Sequence, residues 1–250
     1  MSPAIPDYGE IEARLARDGL LARGGFLPDG AGDRDLPRLA GDRPTAAIVM
    51  VGNAGPDMWE SFARSQEHNE RQPHALDRWS RRVLSRAARE LGAEARFPFE
   101  GPPYLPFLAW AKRAEAVFTS PLGMLIHPDY GLWHAYRGAL LFADAPSGLP
   151  HKAERAHPCE SCRGRPCLSA CPVDAFDGAE RGAVKPADYD VAACKGHIGA
   201  PEGRACLSQG CAARRACPVG PAWRYEPAQA EWHMRAFLGA SGSRARMAGS

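Results

Sequence analysis

Ile11, Leu15, Leu20 and Leu21 recur among charged residues over 8–23, and Gly24-Gly25 follows, which predicts an amphipathic helix with a glycine stop. A loop rich in Gly, Pro and Asp continues to Pro44. The unbroken apolar run 46–51, bounded by Pro44 and Gly52, predicts a buried strand at the centre of a sheet. Over 73–91, Leu76, Trp79, Val83, Leu84, Ala87, Ala88 and Leu91 return at helical spacing, with Gly92 at the stop position. Residues 94–99 read as a strand entering the corner Gly101-Pro102-Pro103, and 105–116 as a helix. Two further strands, 123–127 and 132–143, flank the turn Pro128-Asp129-Tyr130-Gly131. Strands alternating with helices over 1–145 predict an α/β layer sandwich. Beyond it, 146–158 read as a linker, 228–238 as a short helix and 239–250 as a disordered small-residue tail.

Composition narrows the function classes. The chain has 250 residues, with 31 Lys+Arg against 29 Asp+Glu, and its arginines are dispersed, often beside acids. That balance predicts a solvated surface rather than a phosphate track, so no nucleic-acid partner is expected. Arg78, Arg81, Arg82 and Arg86 form such a solvated helix face, with docking of an acidic electron donor as the alternative. No run of about 18 apolar residues occurs and the N-terminus lacks a basic start before an apolar stretch, so no membrane partner and a cytoplasmic location are expected. Gly52-Asn53-Ala54-Gly55 reads as a turn, with a backbone phosphate cradle as the alternative. His233 and Met234 read as helix packing.

All eight cysteines lie between Cys159 and Cys217. Their confinement to one stretch of a reducing-compartment protein points to metal or cluster ligation rather than disulfides. The first array is Cys159-x2-Cys162-x4-Cys167-x3-Cys171-Pro172 and the second Cys194-x11-Cys206-x4-Cys211-x5-Cys217-Pro218. In bacterial two-cluster ferredoxins the thiolate of the closing Cys-Pro serves the other cubane. On that pattern Cys159, Cys162 and Cys167 share one [4Fe-4S] cluster with Cys217, and Cys194, Cys206 and Cys211 share a second with Cys171. Two structural zinc sites would also consume eight thiols, but a zinc ribbon needs two compact Cys-x2-Cys pairs and only Cys159/Cys162 make one.

The segment 126–141, Ile-His-Pro-Asp-Tyr-Gly-Leu-Trp-His-Ala-Tyr-Arg-Gly-Ala-Leu-Leu, resembles the I-H-P-x-F/Y-G-x-W-x-A-x-R-G stretch of cobalamin-processing proteins of the cblC type. It is similar, less closely, to the strand preceding the ferredoxin domain of epoxyqueuosine reductase. The superfamily also holds reductive dehalogenases, and the resemblance implies a flavin-nitroreductase-like sandwich that binds cobalamin, followed by two clusters feeding electrons to cobalt. His127, Tyr130, Trp133 and Arg137 are the candidate corrinoid contacts, with no histidine on cobalt; otherwise Trp133 is core and Arg137 pairs with a carboxylate. Val51 to Trp59 and 77–82 (Asp-Arg-Trp-Ser-Arg-Arg) further resemble a group of bacterial proteins described as ferredoxins. Glu100 matches the aspartate proposed as proton donor in epoxyqueuosine reductase, with a solvated loop carboxylate as its alternative role. The Gly-Leu-Gly and Gly-Lys-Asn loop of that reductase is replaced here by 116–121, and its C-terminal helical repeats are missing, so tRNA is not the expected substrate.

These readings assign a nitroreductase-like α/β domain to 1–150, a dicluster ferredoxin-type domain to 151–225, and a helix and tail to 226–250. The expected function is electron delivery from two [4Fe-4S] clusters, supplied by a redox protein donor, to a cofactor in the first domain, cobalamin or else flavin. A rival is an electron carrier with no active site of its own, which a cavity beside Trp133 and Arg137 would distinguish.

Overall fold

The computed structural model describes residues 5–30, 36–70, 72–177 and 186–240. Helix α1 (Tyr8–Ala16) starts on a capping box: Asp7 accepts from the Glu10 N–H at 2.8 Å, and the Glu10 carboxylate accepts from the Asp7 N–H at 2.9 Å. It stops well short of 23. Leu20 turns fully into the core, and the chain leaves as strand β1 (Leu21–Phe26), so Gly24-Gly25 form a strand irregularity instead of a helix stop. Strand β2 (Ala47–Ala54) extends the predicted run and is buried throughout. Helices α2 (Trp59–Ala63), α3 (Gln66–Asn69) and α4 (Ala75–Glu90) follow, then β3 (Glu94–Arg96), α5 (Phe107–Ala114), β4 (Phe118–Thr119), β5 (Leu125–Ile126) and β6 (His134–Phe142).

The main sheet has the order β1-β2-β6-β3 and is antiparallel throughout. Its centre explains the unbroken apolar pattern of β2, because successive side chains point to opposite, equally covered faces. Val49 and Val51 meet α1 and α4 through Ile11, Leu15, Trp79, Val83 and Leu84, while Ile48 and Met50 meet α5 through Phe107, Trp110 and Ala111. The result is the expected mixed α/β layering, helices on both faces of one sheet.

The cysteine-bearing part is built from short pieces: α6 (Pro166–Ser169), a ladder of β7 (Phe176–Asp177) with β8 (Asp188–Tyr189), α7 (Val191–Gly199), α8 (Arg204–Gln209) and α9 (Ala212–Arg215). It packs on the β4–β5 hairpin, where Cys159, Ala213 and Cys217 are buried with Leu122, Ile126 and Leu132. Helix α10 (Pro227–Gly239) then returns to the sandwich, setting Trp232 against Phe62 at 4.8 Å and donating from Gln229 to the Gly55 carbonyl at 3.2 Å. The expected tail from 241 lies outside the described residues. The stretch 146–158 is pinned at three points: Ser147 accepts from the Tyr8 N–H at 2.9 Å, Leu149 packs into the core, and the His157 ring bonds the Thr119 carbonyl at 3.2 Å.

Two surface expectations change. The arginines of α4 are not merely solvated: Arg78 pairs with Glu70 at 2.7 Å, Arg81 with Glu100, Arg82 with Glu67 and Arg86 with Asp18 at 3.0 Å. Gly52, Asn53 and Ala54 lie inside β2, paired with Tyr136, Ala135 and His134, so their N–H groups serve the ladder and make no phosphate loop.

Trp79, 1% exposed between α4 and the sheet, anchors this core. Trp79→Ala is expected to cost about 3–5 kcal/mol in urea unfolding, whereas Leu108→Ala, 55% exposed on α5, should change stability by under about 0.5 kcal/mol.

Candidate functional site

The eight thiols sort into two sets of four. Burial, then the neighbouring thiols of Cys217, Cys167 and Cys162, push Cys159 up to about 12. Cys167 is pushed to about 11 by burial and by Cys217 and Cys162. The second set forms around Cys194 and Cys211: burial first, then Cys211, Cys171 and Cys206, raises Cys194, and burial first, then Cys171 and Cys206, raises Cys211. Cys171 therefore neighbours the thiols of the second array and Cys217 those of the first. Sulfur is further addressed by polar hydrogens: the Ala175 N–H donates to Cys171 Sγ at 3.4 Å, and the Tyr189 hydroxyl to Cys194.

Four thiolates sharing such a space repel, and burial penalises each of them; a bound cationic metal centre would relieve both costs. The donor sets thus fit iron–sulfur cores chemically, and N–H···S contacts of this kind tune cluster potentials. Among the described residues, no group of three or more His, Cys, Asp or Glu side chains is placed to hold a metal ion.

The four candidate corrinoid contacts do not line one wall. The turn closing His127 to Gly131, held by paired backbone bonds of 2.9 Å, stacks the His127 and Tyr130 rings at 4.3 Å. They face Arg23, which is 2% exposed, bonds Glu115 at 2.7 Å and lies 4.9 Å from the Tyr130 ring. Tyr136 donates to the same Glu115 carboxylate, and His134 sits between Arg23 and the Leu125 carbonyl, 3.1 Å from its Nε2. Burial and Arg23 hold His127 down to about 4 and His134 to about 2, so both rings are neutral at pH 7.

Trp133 and Arg137 belong to a second group. Arg137 Nε donates to Asn53 Oδ1 at 3.0 Å, and Asp77 lies within its field without forming an ion pair with it. Arg214, from α9, donates to the Leu132 carbonyl and lies 4.4 Å from the rings of both Trp133 and Tyr225. Tyr225 in turn stacks on His233 at 5.3 Å. Sequence reasoning missed Arg23, Glu115, Arg214 and Tyr225. Only Arg23 carried a signal, as the one charge inside the Gly-rich run of β1.

Glu100 joins neither group; it accepts from the Phe97 N–H at 3.2 Å and pairs with Arg81. A surface cavity of about 210 Å³ is lined by His127, Glu115, Lys152 and Arg155, and a neighbouring one of about 420 Å³ by Phe118, Lys152, Glu154 and Arg155. Both fall in or below the lower half of the roughly 300–1,000 Å³ that drug-sized ligands occupy, and a corrinoid is larger still. Beside Trp133 and Arg137 the space is taken by Tyr225 and Arg214. The four residues therefore do not, in this arrangement, fit a corrin ring as a set.

No family model matches the chain, and no curated protein does. Among solved structures, the chain is similar to a C. elegans B12-trafficking protein, CblC, a homologue of human MMACHC: 15% identity, 92% of each chain covered, TM-score 0.52. It also matches an epoxyqueuosine reductase bound to a tRNA stem loop, at 17% identity over 89% of this chain and 70% of that one, TM-score 0.46. The first likeness establishes a mixed α/β fold similar to that of CblC. No helix among the described residues is long and apolar enough to cross a membrane.

Because the folded pKa of His127 lies below its ordinary 6.5, the unfolded chain takes up that proton first, and folding is favoured least at acid pH. Urea stability should fall as the pH drops from 6.5 toward 4, with a shallower slope in His127→Gln; equal slopes would show the ring titrates normally.

Proposed function

We propose that this protein is a dicluster iron–sulfur redox protein that passes electrons to a cofactor received by its own α/β part, with a corrinoid as the cofactor class, met elsewhere than in the filled space beside Trp133 and Arg137. The observation that carries the electron-transfer reading is the sorting of eight thiols into two sets of four, each containing the Cys-Pro cysteine of the opposite array. When bound, such clusters supply one-electron reduction. The chain's own residues supply the thiolates, the N–H and O–H donors to them, and a contact that holds the cluster-bearing part on the sandwich. The corrinoid part rests on the resemblance of 126–141 and on the fold shared with a B12-trafficking protein; no step is routed through it.

A second reading, an electron carrier without its own active site, is favoured by the segment 218–225. There Trp223 packs on Tyr130 at 4.8 Å and Tyr225 on Trp133 at 5.4 Å, covering the face that a corrin would need.

Anaerobically reconstituted protein should bind about eight iron atoms per chain and show broad visible absorbance that dithionite bleaches; colourless protein with stoichiometric zinc would overturn the reading. In electron paramagnetic resonance, Cys171→Ser should perturb the signal altered by Cys211→Ser, and Cys217→Ser that altered by Cys162→Ser. Perturbation of the same-array signal in either case means two sequence-local sites. Titration of the reconstituted protein with cobalamin should give a base-off spectral shift; no shift with any cobalamin form leaves the carrier reading, and copurified flavin replaces the corrinoid.

A further inference from the structure

Tyr189 stands apart from the aromatic residues of the sandwich because its hydroxyl reaches sulfur. Strand β8 pairs Tyr189 with Phe176 of β7, and the ladder holds the two rings 4.8 Å apart and 7° from parallel. Phe237 of α10 stacks on the same ring at 6.4 Å. The backbone beside it is fixed as well: the Asp190 N–H donates to the Ala175 carbonyl at 2.9 Å, and the Asp190 carboxylate caps α7 by accepting from the Ala193 N–H at 2.9 Å. Helix α7 begins directly after that cap and carries Cys194 in its first turn, so the Tyr189 hydroxyl meets the Cys194 sulfur, with Cys171 and Cys211 close by. One phenol thus stands among three of the four thiols of the second set. In the first set, Cys167 and Cys217 are instead addressed by backbone N–H groups, and Cys159 and Cys217 pack on Leu122, Ile126 and Leu132. Packing by itself does not ask for the hydroxyl, since Phe176 makes the same stack without one. Nor does satisfaction of the hydroxyl, since Tyr189 is 39% exposed and water is within reach.

One-electron reduction adds negative charge to a cluster and its thiolates, and a hydrogen-bond donor on sulfur stabilises the reduced form more than the oxidised one. We propose that Tyr189 is a positioning residue for electron transfer: its hydroxyl, acting through Cys194, raises the reduction potential of the cluster held by Cys194, Cys206, Cys211 and Cys171 and leaves the other cluster untouched. The inference rests on the dicluster reading above and deepens it by assigning one side chain to one cluster. The couple is a single-electron reduction, with the electron supplied by the redox protein donor or, in the test, by dithionite; the phenol keeps its proton, and no covalent bond forms or breaks. Loss of the donor is expected to lower the equilibrium constant for reducing the second cluster about tenfold, which is ~59 mV for a one-electron couple.

The test is an anaerobic redox titration of the reconstituted full chain, followed by electron paramagnetic resonance. The signal altered by Cys211→Ser identifies the second cluster and that altered by Cys162→Ser the first. In Tyr189→Phe, which keeps the ring and its stack on Phe176, the second midpoint should fall by the stated amount and the first should stay in place. Tyr104→Phe, at a position 66% exposed ahead of α5, should move neither. Hyperfine spectra of the reduced second cluster should lose one exchangeable proton coupling in Tyr189→Phe, which a purely structural ring would not cause. Phe176→Leu, which leaves the hydroxyl but loosens the stack, should lower the second midpoint by a smaller amount. An unchanged second midpoint in Tyr189→Phe, or a fall of both midpoints together, overturns the proposal while two clusters in the unsubstituted protein leave the dicluster reading standing. If Tyr189→Phe does not retain its second cluster, an unchanged midpoint in Phe176→Leu overturns the proposal equally. Unsubstituted protein that assembles no pair of clusters overturns the dicluster reading and the proposal with it.

Discussion

The cysteine-bearing part is held to the sandwich by a contact of backbone on backbone. Gly131 and Gly220 both adopt positive φ, +59° and +66°, and each lies where the other segment passes. A Cβ on Gly131 would stand 2.0 Å from the Val219 carbonyl oxygen, and one on Gly220 2.4 Å from the Tyr130 carbonyl carbon. No side chain fits there, in either direction. This approach sets the position of everything downstream of Cys217: Trp223 against Tyr130, Tyr225 against Trp133, and α10 across Phe62. It also brings Cys217 back to the thiols of the first array.

Strand β6 and the turn before it divide the interior around that contact into two polar groups. On one side Arg23 is neutralised by Glu115 and surrounded by neutral imidazoles and phenols, a closed network with its charges met. On the other, Arg137 and Arg214 surround Tyr225, which Arg214 and Asn53 hydrogen-bond, and Asp77 stands within the field of Arg137. Burial pushes the Tyr225 phenol up, but the two guanidiniums outweigh it and leave the group below its ordinary range.

Much of the sandwich was legible as periodicity. The α4 pattern located that helix to within a few residues, and the apolar run 46–51 identified the central strand, because burial on both faces leaves no polar alternation. Leu20 and Leu21 misled, since a strand entering a sheet and the last turn of a helix both bury consecutive leucines. The Cys-Pro spacings likewise led directly to two groups of thiols. Spacing reflects which cysteines a short loop can present together, and that is local chemistry.

What spacing and periodicity did not contain was the meeting of distant segments. Nothing in Trp-Arg-Tyr after the second Cys-Pro marks Tyr225 as a neighbour of Trp133, and His127 and Arg137 look like partners along the chain although they serve opposite sides of the fold. The sequence by itself determined the layered sandwich, which depends on one repeating pattern of apolar positions. Only the tertiary structure decided which charges are met. That balance depends on Arg214 and His233 arriving from elements far along the chain, and the two facing glycines permit that approach.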